Sequence, residues 1–453
     1  MTLERPDMQG LVVRGYGKLM AARYLVAEIA DPMRAGTWLE QVAAQVDSAE
    51  GRPERRAVNV AFTASGLAKL GLGGEALGTF AEEFVSGMAA PFRRAPLGDV
   101  DESAPEHWDW GGPGVPVDLL VLLFARDDEE LAAAEADLLG LDGADGVDVV
   151  RSLDTSPLED REHFGFRDGV AQPSIAELGP APYPDSIRAG EFVLGYPNEY
   201  GLLTDVPADF GRNGSYLVFR QLSQDVQAFW DYCEQATLRP DGSVDTEART
   251  RLAAKMVGRW PSGAPLALAP DADDPALAVA NDFGYHAEDP HGLRCPVGAH
   301  VRRSNPRDSL DPQPGSRRSI DVGKRHRLLR RGRKYGPLLA RDELLSAGAP
   351  GEWRDDDRGL HFICLVGNIA RQFEFVQRTW INSPRFAGLY DNPDPLMGPE
   401  PPGGRTFTVP AHPVRERHTG LPRFVTTRGG AYFFLPGLAA LRRLAALPRS
   451  LRS

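Results

Sequence analysis

With 453 residues, of which 42% are hydrophobic and 25% charged, the chain can bury a sizeable core, which excludes a largely disordered or fibrous protein. Its 51 Lys and Arg stand against 63 Asp and Glu for a formal charge of −12, a balance that works against nonspecific binding to nucleic acid or an anionic membrane. Cys233, Cys295 and Cys364 are odd in number, scattered and free of any CxxC spacing, so neither a disulfide framework nor a zinc knuckle is expected.

Met1 to Gly10 carry acids and Pro6 without an apolar run or twin arginine, and no uncharged stretch approaches the ~20 residues of a membrane span. These features point to a cytoplasmic protein. In chain order, Tyr24 to Ile29 reads as a strand, and Leu39, Val42, Ala43 and Val46 then recur on one helical face. Val58 to Phe62 is a second strand, with Thr63 as N-cap of a short helix stopping near Gly71. Leu119 to Phe124 is a buried strand, Asp127 caps a helix running to Gly140, and Val147 to Val150 closes the set. This succession around one sheet is the split βαβ arrangement of a ferredoxin-like domain.

Pro173 to Gly214, rich in Pro, Gly and Asp, is the expected connection. Beyond it Tyr216 to Arg220 is a strand, Ser223 a cap, and Val226, Phe229, Trp230 and Cys233 share a helical face. Phe362 to Val366 is another strand, Ile369, Phe373, Val376 and Trp380 another buried face, and Tyr432 to Phe434 a last strand. The class is therefore α+β, with two domains divided at 1–205 and 206–453.

Three segments carry candidate chemistry. Gly165-Phe166-Arg167-Asp168-Gly169 sets a carboxylate in a glycine-framed turn, where it serves either as a plain Asp-Gly turn or as a group that moves a proton. Cys295-Pro296-Val297-Gly298-Ala299-His300 offers an imidazole among small residues, structural in one reading and a metal ligand in the other. Leu329-Arg330-Arg331-Gly332, followed by Tyr335-Gly336-Pro337, lies in a dense basic block from Lys324 to Lys334; such blocks are often solvated faces or polyanion contacts.

Acid turn, histidine and arginine in this order resemble the dye-decolorising peroxidases, a haem enzyme family in its longer bacterial form. The resemblance extends to Asp7-Met8-Gln9-Gly10-Leu11, Asn59 to Thr63, Leu70-Gly71-Leu72, His107 to Gly111, and Trp380 with Gly388 to Asp391. It implies two ferredoxin-like domains, each an antiparallel sheet with helices. One noncovalent haem b per chain would lie between the sheet and helices mainly of the C-terminal domain.

By the same resemblance His300 would be the axial iron ligand, Asp168 the proton-moving acid and Arg330 the charge-stabilising distal group, with Arg331 as substitute one residue on. Arg302 and Arg303 would pair with the haem propionates. Glu374 is a candidate carboxylate partner for His300, in competition with a salt bridge to Arg378 four residues away. Tyr335, Trp260 and Trp380 are candidate electron relays for bulky dyes.

The implied reaction is reduction of hydrogen peroxide with one-electron oxidation of dyes and phenols, with no nucleic acid or membrane partner. Homo-oligomers and, through the tail Arg449 to Ser453, docking into a protein shell remain open, although a terminal helix over Leu438, Leu441 and Leu444 packed on the core explains the same residues. Two other readings stand beside it: a haem-binding or iron-handling protein without peroxidase turnover, and a polyanion binder built on the basic block.

Overall fold

Strand β3 (Leu119–Ala125) reads LLVLLFA and is buried along its whole length, so its apolar residues serve both faces of a sheet rather than one. Leu119, Val121 and Leu123 enter one core and Leu120, Leu122 and Phe124 another. The neighbouring β1 (Ala21–Ile29) divides likewise, with Leu25 on one side and Tyr24 and Val26 on the other. The computed structural model describes residues 2–179, 186–204, 206, 207, 209–340, 344 and 357–450.

With β2 (Arg56–Phe62) and β4 (Val147–Asp154) these strands form the order β4-β1-β3-β2, all antiparallel. The second half supplies β5 (Ser215–Gln224), β6 (Leu329–Arg330), β7 (Arg333–Tyr335), β8 (Gly359–Val366) and β9 (Val425–Leu435). They run β9-β5-β8, with β6 and β7 both pairing with β8. Counted within each half, both orders are 4-1-3-2, the ferredoxin-like arrangement. The halves join edge to edge where Phe434 of β9 meets Phe62 of β2, giving one nine-stranded sheet.

Helices cover the sheet where sequence signals place them. Helix α1 (Pro32–Ala43) starts at Asp31, whose carboxylate accepts from the Met33 and Arg34 amides; a cap of this kind contributes about 1 kcal/mol. Thr63 caps Ala64–Lys69 and Asp127 caps α2 (Asp128–Leu139). In α3 (Val226–Gln235), Val226, Phe229, Trp230 and Cys233 are all buried against α4 (Thr246–Val257). The terminal helix α6 (Leu438–Ser450) follows α5 (His300–Ser304) in the chain and buries Leu438, Leu441 and Leu444. It lies close on α1, where a Cβ on Gly36 would come within 2.8 Å of the Ala445 carbonyl. Arg449 of the expected docking tail pairs with Glu40 at 2.8 Å, and residues 451–453 lie outside the described residues.

Three expectations change. The cap of α3 is Asp225, which accepts from the Ala228 amide at 2.8 Å, while Ser223 stays in β5 between Gly359 and Thr426. The face from Ile369 to Trp380 is carried on π-type turns over Ala370–Glu374 and Val376–Ile381, in which Glu374 N bonds Ile369 O and Asn382 N bonds Gln377 O. Such wider turns concentrate at functional sites. The basic block, finally, contains two short strands of the sheet rather than a solvated face.

Phe434 packs its ring against Phe80, Phe84 and Tyr216 at the seam between the halves. Phe434→Ala is expected to lower the unfolding free energy by about 3–5 kcal/mol in a denaturant titration; a loss below ~1 kcal/mol would contradict this packing.

Candidate active site

The same face of β5 that turns Tyr216 and Val218 into the core turns Arg220, Leu222 and Gln224 into a cavity of about 260 Å³. Leu360 and Phe362 of β8 join them, and further walls come from Phe164 and Phe166, from His300 and Val301 of α5, and from Phe373, Val376 and Ile381 of the π-type segment. Most of the surface is apolar, interrupted by charged and polar side chains.

His300 opens α5 and lines this cavity. Its Nδ1 lies 2.9 Å from Oδ2 of Asp394, whose side chain is wholly buried. The other carboxylate oxygen accepts the amides of Leu396 and Met397 at 2.9 Å each. Burial works against charge on both groups, but their mutual attraction and hydrogen bond prevail. Asp394 is held below the usual carboxylate range and His300 above its ordinary value. With Nδ1 engaged by Asp394, the Nε2 lone pair is the one the imidazole offers to the cavity.

Asp168 lines the same cavity from a tight loop. Gly165 and Gly169 take φ of +95° and +81°, a region that costs other residues heavily. The loop is tied inward by Glu162, whose carboxylate accepts from the amides of Phe164 and Phe166 and from Gln224 Nε2, all at 2.9 Å. Burial pushes the Glu162 carboxyl up to about 6 despite those three donors.

Arg330, on β6 opposite Cys364, donates from Nη1 to Asp168 Oδ1 at 2.9 Å. Burial alone would raise the Asp168 carboxyl, but the Arg330 charge, the Gly169 amide and the Arg330 hydrogen bond hold it below its ordinary value. Arg331 turns elsewhere and donates to the carbonyls of Leu11 and Val12. Gly332 lets β6 and β7 lie against β8, since a Cβ there would meet the His361 carbonyl at 2.2 Å.

The residue that sequence reasoning missed is Asp394. Glu374 does not meet His300: its carboxylate takes Arg93 at 2.6 Å and the Tyr432 hydroxyl at 2.8 Å. Arg302 and Arg303 do not line the cavity either. Both are buried, Arg302 on Asp289 and the Cys295 carbonyl and Arg303 on the carbonyls of Gly298, Trp380, Ser383 and Asn392, so their donors serve the scaffold. The cations on the cavity wall beside Arg330 are Arg167, Arg220, Arg259 and Arg327.

The basic block is likewise spent internally. Lys324 pairs with Glu199, Arg327 donates to the Ala171 carbonyl, and Arg333 donates to those of Tyr16, Leu19 and Met20. Little of it remains for a polyanion. Trp260, Trp380 and Tyr335 are all buried, so none is the exposed aromatic that contact with a bulky dye requires.

No family model matches the chain. A dye-decolorizing peroxidase of Mycena epipterygia is 32% identical over 426 residues, which span 86% of this chain and 76% of the relative. The chain belongs to the dye-decolorizing peroxidases. A multifunctional dye peroxidase of an Amycolatopsis strain is 31% identical over 97% of the chain and 92% of its own length. The crystal structure of the fungal peroxidase from Auricularia auricula-judae superposes with a TM-score of 0.81 at 27% identity, covering 98% of this chain and all of that one. The protein is thus a peroxidase, of a family whose cofactor is haem.

Asp394 holds the imidazole and two backbone amides with one buried carboxylate. Asp394→Ala is expected to cost about 3–5 kcal/mol of stability in the apoprotein, because it leaves His300 and those amides unpaired; a loss under ~1 kcal/mol would show that the contact holds nothing in place.

Proposed function

We propose that His300 is the axial ligand of a single noncovalent haem b per chain, and that Asp168 and Arg330 are the residues that activate hydrogen peroxide. The observation that carries this reading is the meeting, in one apolar cavity, of a carboxylate-backed imidazole and an Asp168–Arg330 pair. The donor set suits the group: a flat apolar macrocycle with two carboxylates needs apolar walls, an imidazole and cations.

Arg220 lines the cavity with Nη2 on Asp99 and Thr427 and with Nε and Nη1 unpartnered, and because it faces the cavity, which Arg302 and Arg303 do not, it is the better candidate for the propionates. All three cysteines are buried and none lines the cavity, which supports noncovalent binding, and three free thiols suit the cytoplasm. No helix among the described residues is long and apolar enough to cross a membrane. The same reading divides the chain into ferredoxin-like units over 1–205 and 206–453, supported by the shared strand order.

Haem, held by His300 within the apolar walls, would supply redox-active iron for one-electron oxidation. The chain's own part is proton and charge management. Asp168, kept ionised by Arg330, accepts the proton of the nearer peroxide oxygen and returns it to the farther one, which leaves as water. Arg330, always charged, stabilises the negative charge developing on that oxygen. A protein that only bound or handled haem would need neither group, so the reading without turnover is not favoured.

Asp168→Asn is expected to slow the reaction with peroxide by about 10²–10⁴ and Arg330→Leu by about 10²–10³, with haem retained in both; stopped-flow absorbance checks this, and wild-type rates in both would remove the assigned roles.

The pH dependence has a fixed sign. A carboxyl lowered by Arg330 stays ionised to acid pH, so peroxide reactivity in the wild type is lost only as pH falls below the ordinary aspartate value of about 4. Without Arg330 that lowering is lost while the Gly169 amide remains, and the acid limb of the rate profile moves to higher pH; a limb in the same place would contradict the pairing.

A further inference from the structure

A second pocket, of about 580 Å³, differs sharply from the first in its lining, which includes Glu102, Asp225, Asp231, Arg423 and Arg428. Its charged walls favour water and small polar solutes over apolar ones. One residue lines both pockets: Gln224.

Gln224 is the last residue of β5 and its backbone is fixed on two sides. Its amide donates to the Arg358 carbonyl at 2.9 Å, and it lies in register with Val425 of β9. The side chain is only 6% exposed. Nε2 is anchored on Glu162 Oε2 at 2.9 Å, which leaves the carbonyl oxygen Oε1 as a buried acceptor with no hydrogen-bond partner. An acceptor in that state costs about 1–3 kcal/mol, a cost relieved whenever a small donor lies beside it. The anchor, Glu162, belongs to the loop that carries Asp168, six residues further on.

We propose that Gln224 is the threshold through which hydrogen peroxide passes from the charged pocket into the cavity, and through which product water leaves. Gln224 Oε1 offers an acceptor to a neutral donor, so such a threshold would select small hydrogen-bonding molecules over the organic electron donors. Peroxide entering here arrives beside the Asp168 loop. The proposal deepens the reading of the cavity as the haem site and rests on it.

The test uses the haem-loaded enzyme, with hydrogen cyanide and hydrogen peroxide as small neutral probes followed at the Soret band. Gln224→Leu keeps the bulk and removes the polar path, so the association rate of cyanide and the reaction rate of peroxide should both fall by about tenfold, a barrier rise of ~1.4 kcal/mol. Gln224→Ala opens the wall and should raise both above wild type; it tests the same threshold should the leucine variant fail to fold. Equal rates in all three proteins overturn the proposal, as does a fall accompanied by a shifted acid limb of the peroxide rate profile, which would make Gln224 a support of Asp168 rather than an entry. Unchanged peroxide reactivity in Asp168→Asn would instead bring down the underlying reading of the acid, and the cyanide comparison would still decide the role of Gln224.

Discussion

Everything at the base of the cavity depends on one buried carboxylate. Asp394 gives one oxygen to His300 Nδ1 and the other to the amides of Leu396 and Met397, so the orientation of the imidazole is set by the backbone turn just after Asp394. Its own amide donates to the Ile381 carbonyl at 2.9 Å, tying that turn to the π-type segment on the cavity wall. Arg303 closes the arrangement. It stands three residues after His300 on α5 and bonds the carbonyls of Trp380, Ser383 and Asn392, clamping the helix that bears the imidazole to the segment that bears its partner. A ring held from behind in this way has its tautomer decided before any ligand arrives.

The opposite chemistry is assembled from other parts of the chain. Asp168 comes from an irregular loop after the first four strands, while Arg330 comes from a two-residue strand on the far edge of the second half. Their contact spans 162 residues. The loop's positive-φ turns fall on glycines and Glu162 collects three donors at its base, and the strand keeps its place because Gln172 exchanges hydrogen bonds with the Arg330 backbone on both sides. The Arg330 guanidinium keeps the Asp168 carboxylate charged, the state that the proposed proton transfer requires.

The strands and helices of the first half were legible because their signals are local: β3 is an unbroken apolar run, and Thr63 and Asp127 cap the helices that begin right after them. Asp168, His300 and Arg330 were singled out through resemblance to a family, on segments whose glycines and small residues mark where a backbone must turn or approach closely, and the fold brings all three to one cavity. Asp394 was not, because its bond to His300 joins positions 94 apart and nothing in Pro393-Asp394-Pro395 announces it. The arginines misled for a related reason. Arg302 and Arg303 sit beside the ligand in sequence, but adjacency does not give direction, and both turn into carbonyl-lined scaffold. The strands β6 and β7 were hidden by charge, since Arg333 and Lys334 are buried by virtue of partners far away in sequence.

The central claim is that His300 holds the iron and Asp394 governs it from behind. The most direct measurement is the iron–histidine stretching band in the resonance Raman spectrum of the reduced, haem-loaded protein. The account predicts a band in the wild type, a shift to lower frequency in Asp394→Asn as the imidazole loses electron density, and its loss in His300→Ala. A band that persists unchanged in His300→Ala would contradict it.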